Sequence, residues 1–479
     1  MTERSAVGRA GLRNLAYRTL LIRHLKYLSS LGRKCARFLP VIPLLVLAPS
    51  AYANGIFRNG VGAKAMALGG TEVARAEDPL GAMAGNPAGL ALLKDATLQL
   101  SLAGAFVNGR FTNPANSDGE LDPVAGIVPD VAFGLPVKSL PVTLGFAMTP
   151  TSLLEADWRY VDTLGGLDGV TSYGLQQNRS EIVVLRSAVG VGVSLGPAFS
   201  LGGSVGLIYN KNSLEAPYIF QSQPTLKGFK TLLDLGTDGF GVNGTVGLLA
   251  RPLRTVQVGI TYTSRTVIHS HGDASGNAAA QLISLGPPFS GARPDFDYDA
   301  DVRTVFPQMV SGGLSWQVHP RFRLALQADW IDWSDAFDRL EIKLTNGNNA
   351  DINTLVGSSS LEDVVPLKWK DRVVYRTGLE YTVSETVSLR GGYSYGKSPV
   401  PSGTLTPLTA AITEHTVTAG IGYRAGRYQV DLAYQWDLPT AQRVGISELR
   451  SGEYSNSKVE VGIHWIALTV SIAFTKPGP

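Results

Sequence analysis

One pattern limits this chain more than any other. Again and again, apolar side chains take every second position over segments of about ten residues. Successive side chains of a strand point to opposite faces, so each segment has one apolar and one polar face. In 372–383, Val373, Tyr375, Leu379, Tyr381 and Val383 oppose Arg372, Arg376, Gly378 and Glu380. In 428–436, Tyr428, Val430, Leu432, Tyr434 and Trp436 oppose Gln429, Asp431, Ala433 and Gln435. A soluble sandwich alternates too, but three details favour a membrane wall. The segments have the length of a tilted transmembrane strand. Trp316, Tyr381, Tyr393, Tyr395, Tyr423, Tyr434, Trp436 and Trp465 gather towards the ends of the apolar faces, where amphipathic rings suit a membrane interface. Short turns (195–198, 251–254, 318–321, 383–385, 424–427) also alternate with long polar loops (108–129, 151–180, 210–238, 269–300, 346–370), as in bacterial barrels whose long loops face outward.

The expected fold class is therefore all-β: a transmembrane antiparallel β-barrel of about fourteen strands. The strands are expected near 97–106, 130–137, 141–149, 181–194, 198–210, 239–250, 254–268, 302–317, 321–345, 371–382, 386–396, 415–424, 427–438 and 457–474. Segment 321–345 reads as one strand broken at Ser334–Ala336, because an odd count would put the two termini on opposite sides. In the last segment the apolar residues change parity after Trp465, which predicts a bulge near Ile466.

Residues 1–53 differ from the rest. Nine basic residues oppose Glu3, a short apolar run (38–48) follows, and Ala51-Tyr52-Ala53 supplies small residues for cleavage. That order predicts a secretory signal peptide. Without it, Lys+Arg falls from 42 to 33 and Asp+Glu from 39 to 38, leaving net −5, which argues against a nucleic-acid partner. Cys35, the single cysteine, lies in this leader, so no disulfide or cysteine metal site is expected. His269, His271 and Asp273 read as a solvated loop rather than a metal site. No Ser/His/Asp set has recognisable spacing, so neither an enzyme nor a cofactor is expected.

Residues 54–95 do not alternate. They are glycine-rich and moderately apolar, which suits a plug folded into the lumen, with the barrel itself expected over 96–479. Several short motifs follow one another along the chain: Gly62-Ala63-Lys64-Ala65, Gly69-Gly70-Thr71 and Asn86-Pro87-Ala88, then Leu233-Asp234-Leu235-Gly236, Gly259–Arg265, Asp329–Ser334, Tyr375–Gly378 and Ser398-Pro399-Val400-Pro401. In these motifs and their order the chain resembles the FadL/TodX family of outer-membrane transporters for long-chain fatty acids and other hydrophobic compounds. It implies a fourteen-stranded barrel with a hatch of short helices, in the outer membrane. It also implies passive transport, with lateral release into outer-membrane lipid. A monomer that takes a hydrophobic small molecule, fatty acid or hydrocarbon, is expected. Fatty-acid-transporter-like barrels that act as secretion shuttles share the Gly-Gly…Asn-Pro-Ala-Gly-Leu signature, so a partner-binding barrel is the alternative.

The resemblance makes Asn86, Pro87 and Ala88 a hatch segment that meets a kinked third strand, which would be 141–149 with Gly145. Kinking there would open a side window. It also brings Ile56 and Phe57 up to line the ligand pocket. Leu226, Phe229, Leu232 and Leu233, at helical spacing with Lys227 and Lys230, suggest a short amphipathic helix at an outer ligand groove, its lysines suited to a carboxylate. By parity Arg186, Arg265, Arg303, Arg323, Arg372, Arg376 and Arg390 point inward, as do Asp329, Glu380, Asp431 and Glu460. Most should pair across the lumen, since isolated buried charges are costly, and Arg376 is the candidate for a ligand head group.

Overall fold

A computed structural model describes residues 55–122 and 124–474; the expected signal peptide lies outside them. Alternation has produced strands where it was read, and most run further than the pattern did. They are β1 (Thr97–Asn113), β2 (Asn116–Leu121), β3 (Val124–Val137), β4 (Val142–Val161), β5 (Leu175–Ser194), β6 (Phe199–Ile219), β7 (Lys230–Leu253), β8 (Val256–Thr263), β9 (Thr266–Asn277), β10 (Asp295–Phe306), β11 (Met309–His319), β12 (Phe322–Ile331), β13 (Arg339–Thr345), β14 (Leu361–Pro366), β15 (Arg372–Thr382), β16 (Val387–Gly396), β17 (His415–Ala425), β18 (Tyr428–Val444) and β19 (Ser457–Ala473). They make fourteen antiparallel passes of a closed wall. β2 is a spur on β1, while β8/β9, β10/β11, β12/β13 and β14/β15 are single passes each interrupted once. β1 pairs with β19 from Thr97↔Ala473 to Thr112↔Lys458, which closes the sheet and removes its edges. The break expected at Ser334–Ala336 is a single helical turn, Trp333–Ala336, capped by Asp332.

The outer surface is apolar. Leu100, Leu102, Phe106, Leu144, Phe146, Val189, Val205 and Leu468 face outward, with Trp316, Tyr381, Tyr423, Tyr434 and Trp436 among them. On a closed wall such a belt is the lipid face. Trp465 is a correction: it points inward, only 1% exposed, and its indole N–H donates to Asp437 at 3.1 Å. The bulge expected near Ile466 is also absent, since β19 keeps unbroken register with β1. Its odd-numbered residues face inward from Val459 through Trp465 to Ser471. What changes is the lumen, which is apolar above (Val459, Val461, Ile463) and polar below (Thr469, Ser471). The extra residue lies instead on β18, where Leu438-Pro439 breaks register.

Two further expectations need correction. β4 does not end at Thr149 but continues to Val161, because a register shift between Pro150 and Ser152 absorbs the proline. No helix forms over 226–235. Leu226 and Phe229 flank a turn at Gly228, and Lys230 onward is strand, paired with β6 and then β9. The helical spacing there was a coincidence of a turn residue with strand period.

The short turns lie at the end of the barrel that carries Thr97 and Ala473, and the long connections lie at the other. A small peptide tag at Gly357, in open space within a long connection, is expected to be labelled on intact cells. Tags at Glu385 or Gly426, in short turns, should be labelled only after permeabilisation. The reverse pattern would invert the orientation.

Candidate functional site: a hatch beneath stacked apolar cavities

Residues 55–95 line the inside of the wall as two short helices, Ala63–Ala67 and Pro79–Ala84, and a 3-10 turn, Pro87–Leu92. The Asn-Pro-Ala motif begins that turn. The Asn86 carboxamide oxygen accepts from the Ala88 N–H at 3.1 Å, an N-cap with Pro87 at the first position. Its amide donates to the carbonyls of Val73 (2.9 Å) and Leu248 (3.1 Å), which ties two hatch segments to β7. Pro87 and Ala88 lie directly on Gly202 of β6, where a Cβ would come within 2.2 Å of their backbone. The motif thus seats on the fifth and sixth passes rather than on the third strand. The contact with the third strand is made by Met83 and Leu90, which cover Gly145.

Gly145 pairs on both edges, with Gly134 and Gly190, so it accommodates the hatch and does not kink the strand. The irregularity is further along. Among the described residues, β3–β4 pairing stops at Val131↔Met148, and β4 is next met from the β2 side at Asp157, whose carbonyl accepts from the Asp122 N–H at 2.8 Å, and at Trp158 and Arg159. β4 is thereby left without a wall partner around Pro150, opposite Pro129 and its neighbours, on its β3 side. Neither proline has an N–H to donate. The N-terminal segment lies on this stretch: Phe57 bridges to Ser152, the Arg58 N–H donates to the Thr151 carbonyl at 3.4 Å, and the Arg58 guanidinium reaches the Pro150 carbonyl at 3.2 Å. The same guanidinium takes both oxygens of buried Asp130, at 2.5 and 3.1 Å.

Ile56 is fully buried and Phe57 packs on Trp333 with ring centroids 5.1 Å apart. Trp333 meets Phe337 and Trp369, and Phe337 stacks on Trp369 at 4.6 Å. This aromatic cluster divides the lumen. Below it, a mixed cavity of about 160 Å³ is lined by Phe57, Thr149, Thr151, Ser152, Arg186 and Arg376 among others. Above it, an apolar cavity of about 190 Å³ is walled by Leu154, Ile182, Leu214, Leu235, Trp369 and Leu408 among others. Leu408 comes from the connection after Ser398-Pro399-Val400-Pro401, which folds inward: Pro407 and Leu408 carbonyls accept from Trp158 and Ser180. Further out, Leu226 and Phe229 join Leu282, Phe289, Phe296 and Ile352 around an open groove of about 230 Å³.

The structure therefore brings Ile56 and Phe57 to the aromatic cluster, and Leu226 and Phe229 to the outer groove. Leu233 packs within the outer apolar cluster, and Leu232, its neighbour along β7, turns the other way. Arg376 does not stand ready for a head group. It pairs with Asp329 at 2.5 Å and bonds Asn59 of the hatch. Lys230 is fully buried and held by Asp162 at 2.7 Å. Arg390 joins Glu380 to Asp431, Arg75 of the hatch meets Glu380, and Arg323 meets Glu77. Arg265, Arg303 and Glu460 are not luminal pairs; they meet Asp335, Glu341 and Lys458 at exposed positions. Trp333, Phe337 and Trp369 were missed as site residues because they stand at interruptions of the wall, where alternation carries no signal. The doubled Asp-Trp in Asp329–Ser334 was the one visible mark.

A closed lipid-facing wall, a hatch tied to it and apolar cavities above define an outer-membrane transporter. A family profile described as "Outer membrane protein transport protein (OMPP1/FadL/TodX)" matches residues 44–475, and the chain belongs to that family. It transports hydrophobic compounds across the outer membrane and is not an enzyme. Solved structures share the fold. A Pseudomonas aeruginosa FadL homologue is 14% identical, with TM-score 0.70 over 88% of this chain and 100% of that one. The Pseudomonas putida toluene transporter TodX is 20% identical, with TM-score 0.69 over 88% and 100%. The Ralstonia pickettii toluene transporter TbuX is 19% identical, with TM-score 0.65 over 87% and 99%. A comparison with curated proteins finds no match.

Proposed function

We propose that this monomeric barrel passes a small hydrophobic compound inward without an energy source and releases it sideways into the bilayer. The observation that carries this reading is the lapse in β3–β4 pairing beside the lower cavity, since Thr149, Thr151 and Ser152 line that cavity and lie where β3 leaves β4 and only the N-terminal segment, through Phe57 and Arg58, covers it. A ligand collected in the groove of Leu226 and Phe229 moves to the upper cavity, displaces Phe57 from Trp333, and leaves past Thr151. An apolar solute released there meets lipid and never crosses water. Burial of Ile56 and Phe57 is worth about 1.5–3 kcal/mol each, enough to hold the N-terminal segment and little enough for a ligand to displace it. The secretion-shuttle alternative gains nothing from a cavity that leads to a side opening.

Thr151→Trp, which fills the opening with a ring, is expected to cut uptake of a radiolabelled hydrocarbon at least fivefold, roughly 1 kcal/mol, while the barrel stays heat-modifiable. Unchanged uptake would rule out the sideways exit. Phe57→Ala and the Ile56→Ala/Phe57→Ala pair should slow uptake through the aromatic cluster, again with assembly intact. Equal rates in all three proteins would remove the N-terminus from the path.

A further inference from the structure

The two outer cavities share an electrostatic character that bears on what they accept. The groove at Leu226 and Phe229 has one charged side chain in its lining, Asp351. The upper cavity has two, Glu181 and Glu453. No lysine, arginine or histidine lines either one. The cations beside the upper cavity are engaged: Lys211 reaches Glu181 at 2.5 Å, and Lys230 is enclosed by Asp162 and the carbonyls of Thr163 and Thr171. Lys227 and Arg293, sequence neighbours of the groove residues Leu226 and Ala292, are exposed and do not belong to its lining. Deeper in, Arg186 gives its donors to Asn243, Ser204 and the Met83 carbonyl, below the aromatic cluster.

Glu453 is the unusual member. It follows the outer turn Arg450–Gly452, is only 7% exposed, and has no side-chain hydrogen bond among the described residues. Its carboxyl belongs to the cavity wall. The charged and titratable groups around it are the Lys230–Asp162 pair, the mutually hydrogen-bonded Tyr160 and Tyr454, and Tyr218. The Glu453 carboxyl oxygens are not sealed unpaired within protein but border the cavity, so a ligand's polar end can reach them.

We propose that the transported compound is uncharged, an apolar body with a hydroxyl or carbonyl oxygen that accepts a hydrogen bond from the Glu453 acid, and that fatty-acid anions are rejected. This rests on the transport reading above and narrows its substrate. A carboxylate moved from water into this cavity finds no cation to replace its hydration, and meets acids instead. Burial pushes the Glu453 carboxyl up to about 8, with Lys230 pulling it down and Asp162 raising it. The acid form therefore persists in the folded barrel between about 4.5 and about 8, where it can donate. Since the folded value is the raised one, Glu453 contributes most to stability at low pH. That contribution is fully present below about 4.5 and is lost as pH climbs from there through about 8.

The test uses purified full-length barrel and two radiolabelled probes, dodecan-2-one and dodecanoate, in equilibrium dialysis. The ketone oxygen can only accept, so it reads whether Glu453 donates. Between about pH 6 and about pH 8, where dodecanoate is an anion and Glu453 an acid, the ketone is expected to bind at least about tenfold more tightly than dodecanoate, and its binding should weaken as pH passes about 8. Glu453→Gln should keep ketone binding within about twofold and lose that pH dependence, because an amide donates at every pH. Glu453→Lys should raise dodecanoate binding at least about tenfold. Should that variant fail to assemble, the wild type and Glu453→Gln decide. Dodecanoate bound as tightly as the ketone by the wild type in that range, or an unchanged pH dependence in Glu453→Gln, overturns the inference and leaves transport standing. Binding of neither probe overturns both.

Discussion

Gly202→Val is expected to turn a closed barrel into a leaking one. Pro87 and Ala88 lie against Gly202 with their backbones, and a Cβ would stand 2.2 Å from the Ala88 nitrogen. A side-chain tip can rotate away from such a contact, but a backbone held by Asn86 to Val73 and Leu248 cannot. Overpacking of this kind costs about 1–3 kcal/mol even where flexible groups give way. The wall is closed by its own ladder and does not need the hatch for pairing. Strain should therefore appear as displacement of the hatch and not as failure to assemble. Single-barrel conductance in a planar bilayer should rise at least about tenfold, which a shift of 1.4 kcal/mol in hatch seating supplies. Cells should also become sensitive to a bulky hydrophilic antibiotic. Gly203→Val is the control: its Cβ would meet only the Thr245 carbonyl, at 3.8 Å, on the opposite face. Equal conductance in the two variants would show that the hatch does not seat on Gly202.

Asp130→Ala should free the N-terminal segment. Arg58 and Asp130 form a bidentate pair with side chains 3% and 0% exposed. Removal of one partner of a buried pair costs about 3–5 kcal/mol, because the other charge loses its compensation. The segment that carries Arg58 is short and lies outside the strands of the wall, so this cost falls on its docking and not on the barrel. Amide exchange at Phe57 and Arg58 is expected to speed up by about two to three orders of magnitude, read by mass spectrometry, while exchange in β4 and β5 stays slow. Arg58→Met/Asp130→Leu, which replaces the pair with apolar bulk, should recover most of the protection. Protection in Asp130→Ala equal to the wild type would mean the pair does not hold the segment.

The sequence alone determined a good deal about this protein, and for a physical reason. A strand in a bilayer must show lipid an apolar face at every second residue, and no backbone group can go unpaired in hydrocarbon. Both constraints act on single segments, so both are visible in a linear chain. That is why β15, β16 and β17 could be placed within a residue or so, why fourteen passes follow, and why a break could be located at Ser334–Ala336. The hatch, too, was visible as a region without alternation.

The inner face obeys no such local rule. Whether an inward residue meets water, the hatch, a salt bridge or a cavity depends on its depth in the lumen and on what other passes contribute there. Val459 and Ile463 therefore looked like a change of phase when they were a change of surroundings, and Trp465 looked like an interface ring when it was luminal. Lys230 resembled a surface cation until Asp162, 68 residues away in the chain, closed on it. Pro150 looked like the end of a strand because the bulge that carries β4 past it depends on β5. Glu453, one acid in a polar loop, gave no sign that the fold would set it in the wall of an apolar cavity. Those positions are decided by closure of the wall, which brings distant segments together and sets the polarity each inward side chain meets.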